Sequence, residues 1–168
     1  MKALQYKRKR KKNTDYRKRL ALLKSGVPRF VVRKGNGSIV AQIVEYSNNG
    51  DRVVVTSTSS HIKKQGWKFN GSNLPAAYLI GLNCGILGMK KGIKKCILDA
   101  RNITTRKGSS TYSAAKGLID SGINLNCREE VFPAEERILG KHIEAYLKSA
   151  EGITKNFEDL RKKMKGEK

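Results

Sequence analysis

The sequence predicts an α/β fold: a mixed sheet that starts as an antiparallel meander and continues through crossover helices, with a basic arm before it and helices after it. Three observations carry this expectation. Three β-rich runs, RFVVR, SIVAQIVEY and RVVVTSTS, follow one another between Pro28 and Ser59 and are separated only by turn residues. A long helical pattern stands between the third run and the apolar segment KKCILDA (Lys94 to Ala100), which places that segment parallel to a neighbour. A polar loop and another helical pattern then follow it.

Taken in order, the chain opens with the block KRKRKK, Lys7 to Lys12, six cations that cannot fold by themselves. Thr14 can cap a helix over about 15 to 25, with Asp15 in its first turn, Leu20 and Leu23 near helical spacing, and Gly26 as its stop. Between the first two strands, Lys34 to Ser38 (KGNGS) has the glycines and Asn that a tight hairpin uses at positive φ, and Asn48 to Asp51 provides the second turn. Strands joined in this way form a meander. The stretch His61 to Asn73 is polar and punctuated by glycine, and reads as a long loop carrying Trp67 and Phe69.

Ser72 or Asn73 then caps a helix in which Leu74, Tyr78, Leu82, Ile86 and Met89 line one side. Gly81, Gly85 and Gly88 each weaken that helix by about 1 kcal/mol relative to Ala, a cost that points to close packing on the sheet. After the strand Lys94 to Ala100 and a polar basic loop, Ala114, Ala115, Leu118 and Ile119 mark a helix that Gly122 ends. Pro133 suits the first position of a further helix, running to about residue 149, with Glu135 and Glu136 near its N-terminal dipole and Leu139, Ile143 and Leu147 on one face. The segment Thr154 to Lys168 is helical at its start and frays at its basic end. The expected organisation is a basic arm at 1–13, an α/β domain at 14–126 and a helical extension at 127–168.

Charge narrows the function. The 168 residues hold 36 Lys and Arg against 14 Asp and Glu, a net charge of +22, and a polycation of this density attracts polyanions. Residues 1–126 hold 26 of the cations and only 5 of the acids, so the partner surface belongs to the first three quarters. With 38% hydrophobic residues a chain of this length can bury about 70% of its unfolded surface, which rules out a wholly disordered tail. No stretch approaches the ~20 apolar residues of a membrane-spanning helix, so no membrane partner is expected. The N-terminal residues lack the apolar segment of an export signal. Cys84, Cys96 and Cys127 are scattered without CxxC spacing and His61 and His142 are the two histidines, so neither a disulfide frame nor a metal site is expected, and no cofactor is implied.

Catalytic machinery is not visible. Asp99, at the end of the apolar strand, is the one acid where open α/β sheets place functional groups, and a metal-dependent nuclease built on it would need further carboxylates that the sequence does not supply nearby. Capping of the following loop, or pairing with Arg101, is the simpler role. Cys84 and Cys96 read as small core residues, and His142 as a helix-face residue. The glycines at Gly35 and Gly37 match no phosphate-binding loop.

Binding is the better reading. Besides the arm (Lys7, Arg8, Lys9, Arg10, Lys11, Lys12), cations cluster at Lys63 and Lys64 beside Trp67, at Lys90, Lys91, Lys94 and Lys95, and at Arg101, Arg106 and Lys107 beside Tyr112. Thr104, Thr105, Ser109 and Ser110 add hydroxyl donors. Cations with aromatics and hydroxyls favour RNA, whose phosphates, 2′-OH groups and unstacked bases they can reach. No helix-turn-helix, zinc-finger or zipper pattern supports duplex DNA.

Five segments, Thr14 to Arg33, Ile39 to Tyr46, Gly71 to Gly81, Leu98 to Gly122 and Phe132 to Tyr146, resemble in order the universal large-subunit ribosomal protein eighteen family in its archaeal form. The resemblance implies a three-layer, ribonuclease-H-like fold of translational proteins without catalytic carboxylates. It also implies a cytoplasmic, ribosomal protein that binds 5S rRNA in the central protuberance and contacts large-subunit rRNA and neighbouring ribosomal proteins. Carried onto this chain, it sets the arm, the capped helix with Tyr16, Arg17 and Arg19, and the loop Arg101 to Ser110 against RNA. Arg29 and Arg33, within the first matching segment, complete the candidate set. Two other functions compete: a nuclease using Asp99, and a protein-interaction adaptor acting through the helix at 133–149.

Overall fold

The computed structural model describes residues 4–11, 14–100 and 106–166. Strands β1 (Arg29–Lys34), β2 (Ile39–Ser47) and β3 (Gly50–Thr58) form the antiparallel meander, in a register that sets Val32 opposite Ala41 and Gln42 opposite Thr56. β4 (Lys95–Asp99) lies parallel to β1, with Phe30 beside Leu98, and the two-residue β5 (Asn124–Leu125) lies parallel to β4. The sheet order is β3-β2-β1-β4-β5. The α/β class with a meander start and a parallel continuation is thus as the sequence predicts: alternate residues of the three meander strands, Phe30, Val32, Ile39, Ala41, Ile43 and Val55, join one buried core.

That inner face is covered by α4 (Leu74–Lys90) and α5 (Ser110–Asp120). Asn73 caps α4, its side-chain oxygen accepting the Ala76 N–H at 2.9 Å. From Pro75 to Gly85 every residue of α4 is buried, so this stretch has no solvent face and its apolar residues do not form a single line; only the last turn, at Leu87, Met89 and Lys90, is exposed. The glycines explain how it can be central. A Cβ on Gly81 would stand 1.9 Å from the Ala114 carbonyl oxygen, and one on Gly117 would stand 2.1 Å from that of Tyr78. Gly85 meets Ser121 in the same way. The close packing therefore runs mainly against α5 and not against the sheet; Gly88 alone of the three meets a sheet residue, Ile43.

Several local expectations change. Asp15, not Thr14, caps α2 (Tyr16–Leu23), because its carboxylate accepts the N–H groups of Arg17 and Lys18 at 3.0 and 3.2 Å. The first hairpin closes through Gly35 N–H to Ser38 C=O at 2.8 Å with neither Gly35 nor Gly37 at positive φ, whereas Gly50, at φ +130°, turns the second. The stretch expected as a loop from His61 begins inside α3 (Ser59–Gln65), which Thr58 caps. Trp67 follows it into the core, 3% exposed, donating its indole N–H to Asn70 C=O and meeting Phe69 edge-on at 5.5 Å. Within the arm, Lys7–Arg10 form a single helical turn, α1, with no buried residue.

The C-terminal helices also differ. The single helix expected at 133–149 is broken at Gly140, whose φ of +88° lets the chain turn between α6 (Glu135–Leu139) and α7 (Lys141–Tyr146). Pro133 precedes the cap residue Ala134; of the expected face Leu139 and Ile143 are half-buried and Leu147 is exposed, while Ile138, outside that face, is the buried residue of α6. The tail is not a frayed fragment: α8 (Ile153–Lys165) buries Ile153, Phe157 and Leu160 in the same core as α4. The rings of Tyr78 and Phe157 meet at a tilt of 52°, their centroids 5.3 Å apart. With α2 on the outer face of the sheet, the molecule has three layers.

Two outcomes follow for stability. Gly81→Ala and Gly117→Ala force backbone apart from backbone and should each lower unfolding free energy by about 1–3 kcal/mol or more in urea titration, where an exposed Gly37→Ala should change it little. Phe157→Ala should cost about 3–5 kcal/mol in the same experiment, because the tail helix is a structural part of the core.

Candidate nucleic-acid interface

The outer face of the sheet is where cations and acids meet. Once Asp15 fixes the start of α2, Arg19 points at the sheet and its two terminal nitrogens donate to both Asp51 oxygens at 2.9 Å, a bidentate pair. Arg29, whose side chain is 5% exposed, lies between two acids: its Nη2 is 2.8 Å from Asp51 Oδ1, and its Nη1 donates to Asp99 Oδ2 at 3.1 Å. The alternating line Arg19, Asp51, Arg29, Asp99 thus ties α2, β3, β1 and β4 together. Burial alone would raise the Asp51 carboxyl, but hydrogen bonding to Arg19 and the contact with Arg29 outweigh it and hold it below its ordinary 3.8. The bond to Asp51 correspondingly raises Arg19.

Above this line, α2 and the sheet enclose an open cleft of about 820 Å³. Val31, Gln42 and Val44 are on its floor, and Arg8, Lys18 and Arg33 are among its rim residues. Tyr16 lines it as well, and the ring of Tyr6 lies 5.5 Å from that of Tyr16. The side chain of Arg8 donates to Thr14 Oγ1 at 3.1 Å and so draws α1 toward the cleft. Tyr6 is the group that the sequence reading missed; an aromatic directly before a cation block was the available signal.

The candidate residues separate accordingly. Lys7, Arg8, Lys9, Arg10, Lys11, Arg17 and Arg33 are exposed around this side of the sheet, with Tyr16 half-buried among them. Lys63 and Lys64 are exposed on α3, where Lys163 of α8 joins them by donating to Gln65 C=O at 3.4 Å. Arg106 and Lys107 are exposed, Lys107 lying 3.7 Å from Glu130, and Ser109, Ser110 and Tyr112 are half-buried at the start of α5. Lys12, Arg101, Thr104 and Thr105 lie outside the described residues. Two members need correction. Trp67 is enclosed by the core and offers no ring to a ligand, and Arg29 is a buried internal ion-pair partner, so neither belongs to an RNA-facing surface. Arg19 is occupied by Asp51 and acts by positioning α2.

Asp99 meets Arg29, while its other expected partner, Arg101, lies outside the described residues; among the described residues no three His, Cys, Asp or Glu side chains are grouped to hold a metal ion. Burial pushes the Cys84 thiol up to about 12 and the Cys96 thiol to about 11, so both stay protonated at neutral pH. Among the described residues no helix is long and apolar enough to cross a membrane.

The ion-pair line sets a pH dependence. Because the folded state holds Asp51 below its unfolded value, this stabilisation is complete above about pH 4 and is lost as pH falls through the depressed value. Asp51→Asn should lower stability at pH 7 by about 1–3 kcal/mol, and its urea midpoint should then fall less between pH 7 and pH 3 than that of the unmodified protein. Equal slopes for the two proteins would show that Asp51 is not linked to folding.

The family model described as "Ribosomal large subunit proteins 60S L5, and 50S L18" matches residues 2–92. "Large ribosomal subunit protein uL18" of Korarchaeum cryptofilum is 40% identical over 159 residues, covering 93% of this chain and 82% of the relative. The proteins of the same name from Thermoplasma volcanium and Thermoplasma acidophilum are 41% and 40% identical over 158 residues, covering 94% of this chain and 98% and 96% of their own lengths. These relatives are structural proteins of the ribosome and not enzymes, which removes the nuclease reading of Asp99. On the family match and on identity sustained over nearly the whole length, the chain belongs to the uL18 family of large ribosomal subunit proteins.

Proposed function

We propose that this protein is a structural constituent of the large ribosomal subunit that binds 5S rRNA and helps attach it to the subunit in the central protuberance. The coarser part, a structural role in the ribosome and hence a cytoplasmic location, follows from the family. The observation that carries the finer part is the gathering of α1, α2 and Arg33, all rich in exposed cations, around one cleft on the side of the sheet away from the core. Phosphate neutralisation releases counterions and supplies the affinity, while the rigid sheet and α2 supply the shape. In this reading Lys7 to Lys12, Tyr16, Arg17 and Arg33 meet 5S rRNA. Lys63, Lys64, Arg106, Lys107, Ser109, Ser110 and Tyr112 meet the same RNA or the large rRNA. The arm at 1–13 is then the electrostatic lead, residues 14–126 are the RNA-binding domain, and 127–168 complete the core.

A second contact is favoured by one observation. Tyr146, 87% exposed, and Leu147, 44% exposed, stand together at the end of α7 and suit a neighbouring ribosomal protein within the same particle.

The test is binding of a 5S rRNA transcript by filter retention. With six to ten phosphates engaged, raising salt from about 50 to 200 mM should cost roughly 10³ to 10⁵ in affinity, and a nearly salt-independent association would overturn the mechanism. Deleting residues 1–12 should weaken binding while leaving the melting temperature nearly unchanged, since α1 buries no residue.

A further inference from the structure

The near-neutral total of residues 127–168 hides a segregation of charge. Glu129, Glu130, Glu135 and Glu136 come early, whereas the last helix, α8, carries Lys155, Lys162, Lys163 and Lys165 against Glu158 and Asp159. α8 lies across the C-terminal end of α3: Asn156 Nδ2 donates to Gly66 C=O at 3.3 Å, and Lys163 Nζ donates to Gln65 C=O at 3.4 Å. A helix end leaves carbonyls unpaired and carries partial negative charge, so Lys163 turns there and not to Asp159, one turn before it on α8. Lys163 and the adjoining Lys162 thereby come to the element next to Lys63 and Lys64. All four are exposed, and among the described residues none of them, nor either acid of α8, is in an ion pair. Both helices pack on α4, so the sheet separates this group from the cations of α2.

We infer that α3 and the last turns of α8 form one RNA-backbone site, with Lys63, Lys64, Lys162 and Lys163 set against phosphates, so that the C-terminal helix is itself an RNA-binding element. The residue type fits this occupant. A lysine is a point charge on a flexible stem, which holds a phosphate without reading a base. Of the large apolar side chains that stand exposed among the described residues, none belongs to α3 or α8. A protein partner needs apolar or aromatic anchors at the centre of its interface, where lysine is depleted, so an acidic protein segment would find charge here but no core to bury. A phosphodiester backbone asks for charge alone. The inference rests on the RNA-binding reading above and adds to it a site that draws half its charge from beyond residue 126.

Three double variants of the full-length protein, each losing two positive charges, are compared. They are Lys63→Gln with Lys64→Gln on α3, Lys162→Gln with Lys163→Gln on α8, and, as a control, Lys141→Gln with Lys148→Gln, two exposed lysines of the same C-terminal region. Binding of a 5S rRNA transcript, and of an RNA duplex of unrelated sequence to the preformed 5S rRNA complex, is followed between about 50 and 200 mM salt. The α3 and α8 pairs should each lower the salt slope by about two and weaken the same one of these RNAs about tenfold, and the control pair should do neither. A loss seen with the transcript makes 5S rRNA the occupant, and a loss confined to the duplex makes it a second RNA. If the α8 pair lowers the melting temperature, Lys162→Gln alone, whose side chain makes no hydrogen bond among the described residues, gives the comparison with a slope change of about one. An equal loss from the control pair reduces the effect to net charge and overturns the inference, as does an α8 pair without effect on either RNA. Binding of a polyglutamate peptide that the α8 pair abolishes while RNA binding stays unchanged overturns it in favour of a protein occupant. Full RNA affinity in both patch variants, with binding weakened by removal of residues 1–12, sinks this site and leaves the ribosomal reading standing. No RNA binding by the unmodified protein overturns that reading itself.

Discussion

A buried guanidinium between two carboxylates organises the functional side of this molecule. Arg29 cannot lie under α2 at 5% exposure unless its charge is balanced, and Asp51 and Asp99 balance it from either side. Asp51 also accepts from Arg19 on both its oxygens, and so holds α2. Acids are scarce in this part of the chain, five in the first 126 residues, and three of them, Asp15, Asp51 and Asp99, are engaged in starting α2 or fastening it to the sheet. The internal line is self-neutralising. What remains outside it is almost entirely cationic, which is the electrostatic condition for taking hold of a polyanion.

On the opposite face the constraint is steric. α4 is buried almost all round, so its neighbours must approach from every side, and Gly81 and Gly117 let the backbones of α4 and α5 come nearer than any Cβ would allow. The C-terminal helices then close the remaining side. Phe157 meets the ring of Tyr78 at a tilt, and Arg161 lies 5.5 Å from the same ring. Burial and the Asp120 carboxylate that accepts its hydroxyl at 2.6 Å raise the Tyr78 phenol well above its ordinary value and keep it a donor. The near-neutral balance of residues 127–168 thus suits segments that rest on protein, while the cationic surplus lies in residues 1–126.

These two faces explain how a chain of such charge holds a fold. Repulsion among exposed lysines and arginines is spread over α1, α2, α3 and the loop at Arg106 and Lys107, and the core that opposes it is continuous from Phe30 to Leu160. A polyanion bound to those groups would relieve the repulsion, so the surface that burdens the free chain is the one the proposed function uses.

The antiparallel meander of β1 to β3, the parallel position of β4, the span of α4 and the cationic bias of the first three quarters were legible from residue patterns, because alternation, helical period and charge are local properties carried by neighbours in sequence; β5, two residues long, and the place of β4 beside β1 were not. Helix α3 and the break at Gly140 were less legible: a short polar helix has little apolar period, and a left-handed glycine between Leu139 and Lys141 looks like any other helical glycine until φ is known. The fate of individual side chains was settled elsewhere. Nothing near Trp67 in the sequence marks it as core, and nothing near Arg29 indicates that acids 22 and 70 positions away will enclose it. The sequence by itself determined the layering and the sign of the partner. Only the tertiary structure decided which of the described cations are paired internally and which stay exposed, because ion pairing and burial depend on distances between residues that the chain keeps far apart.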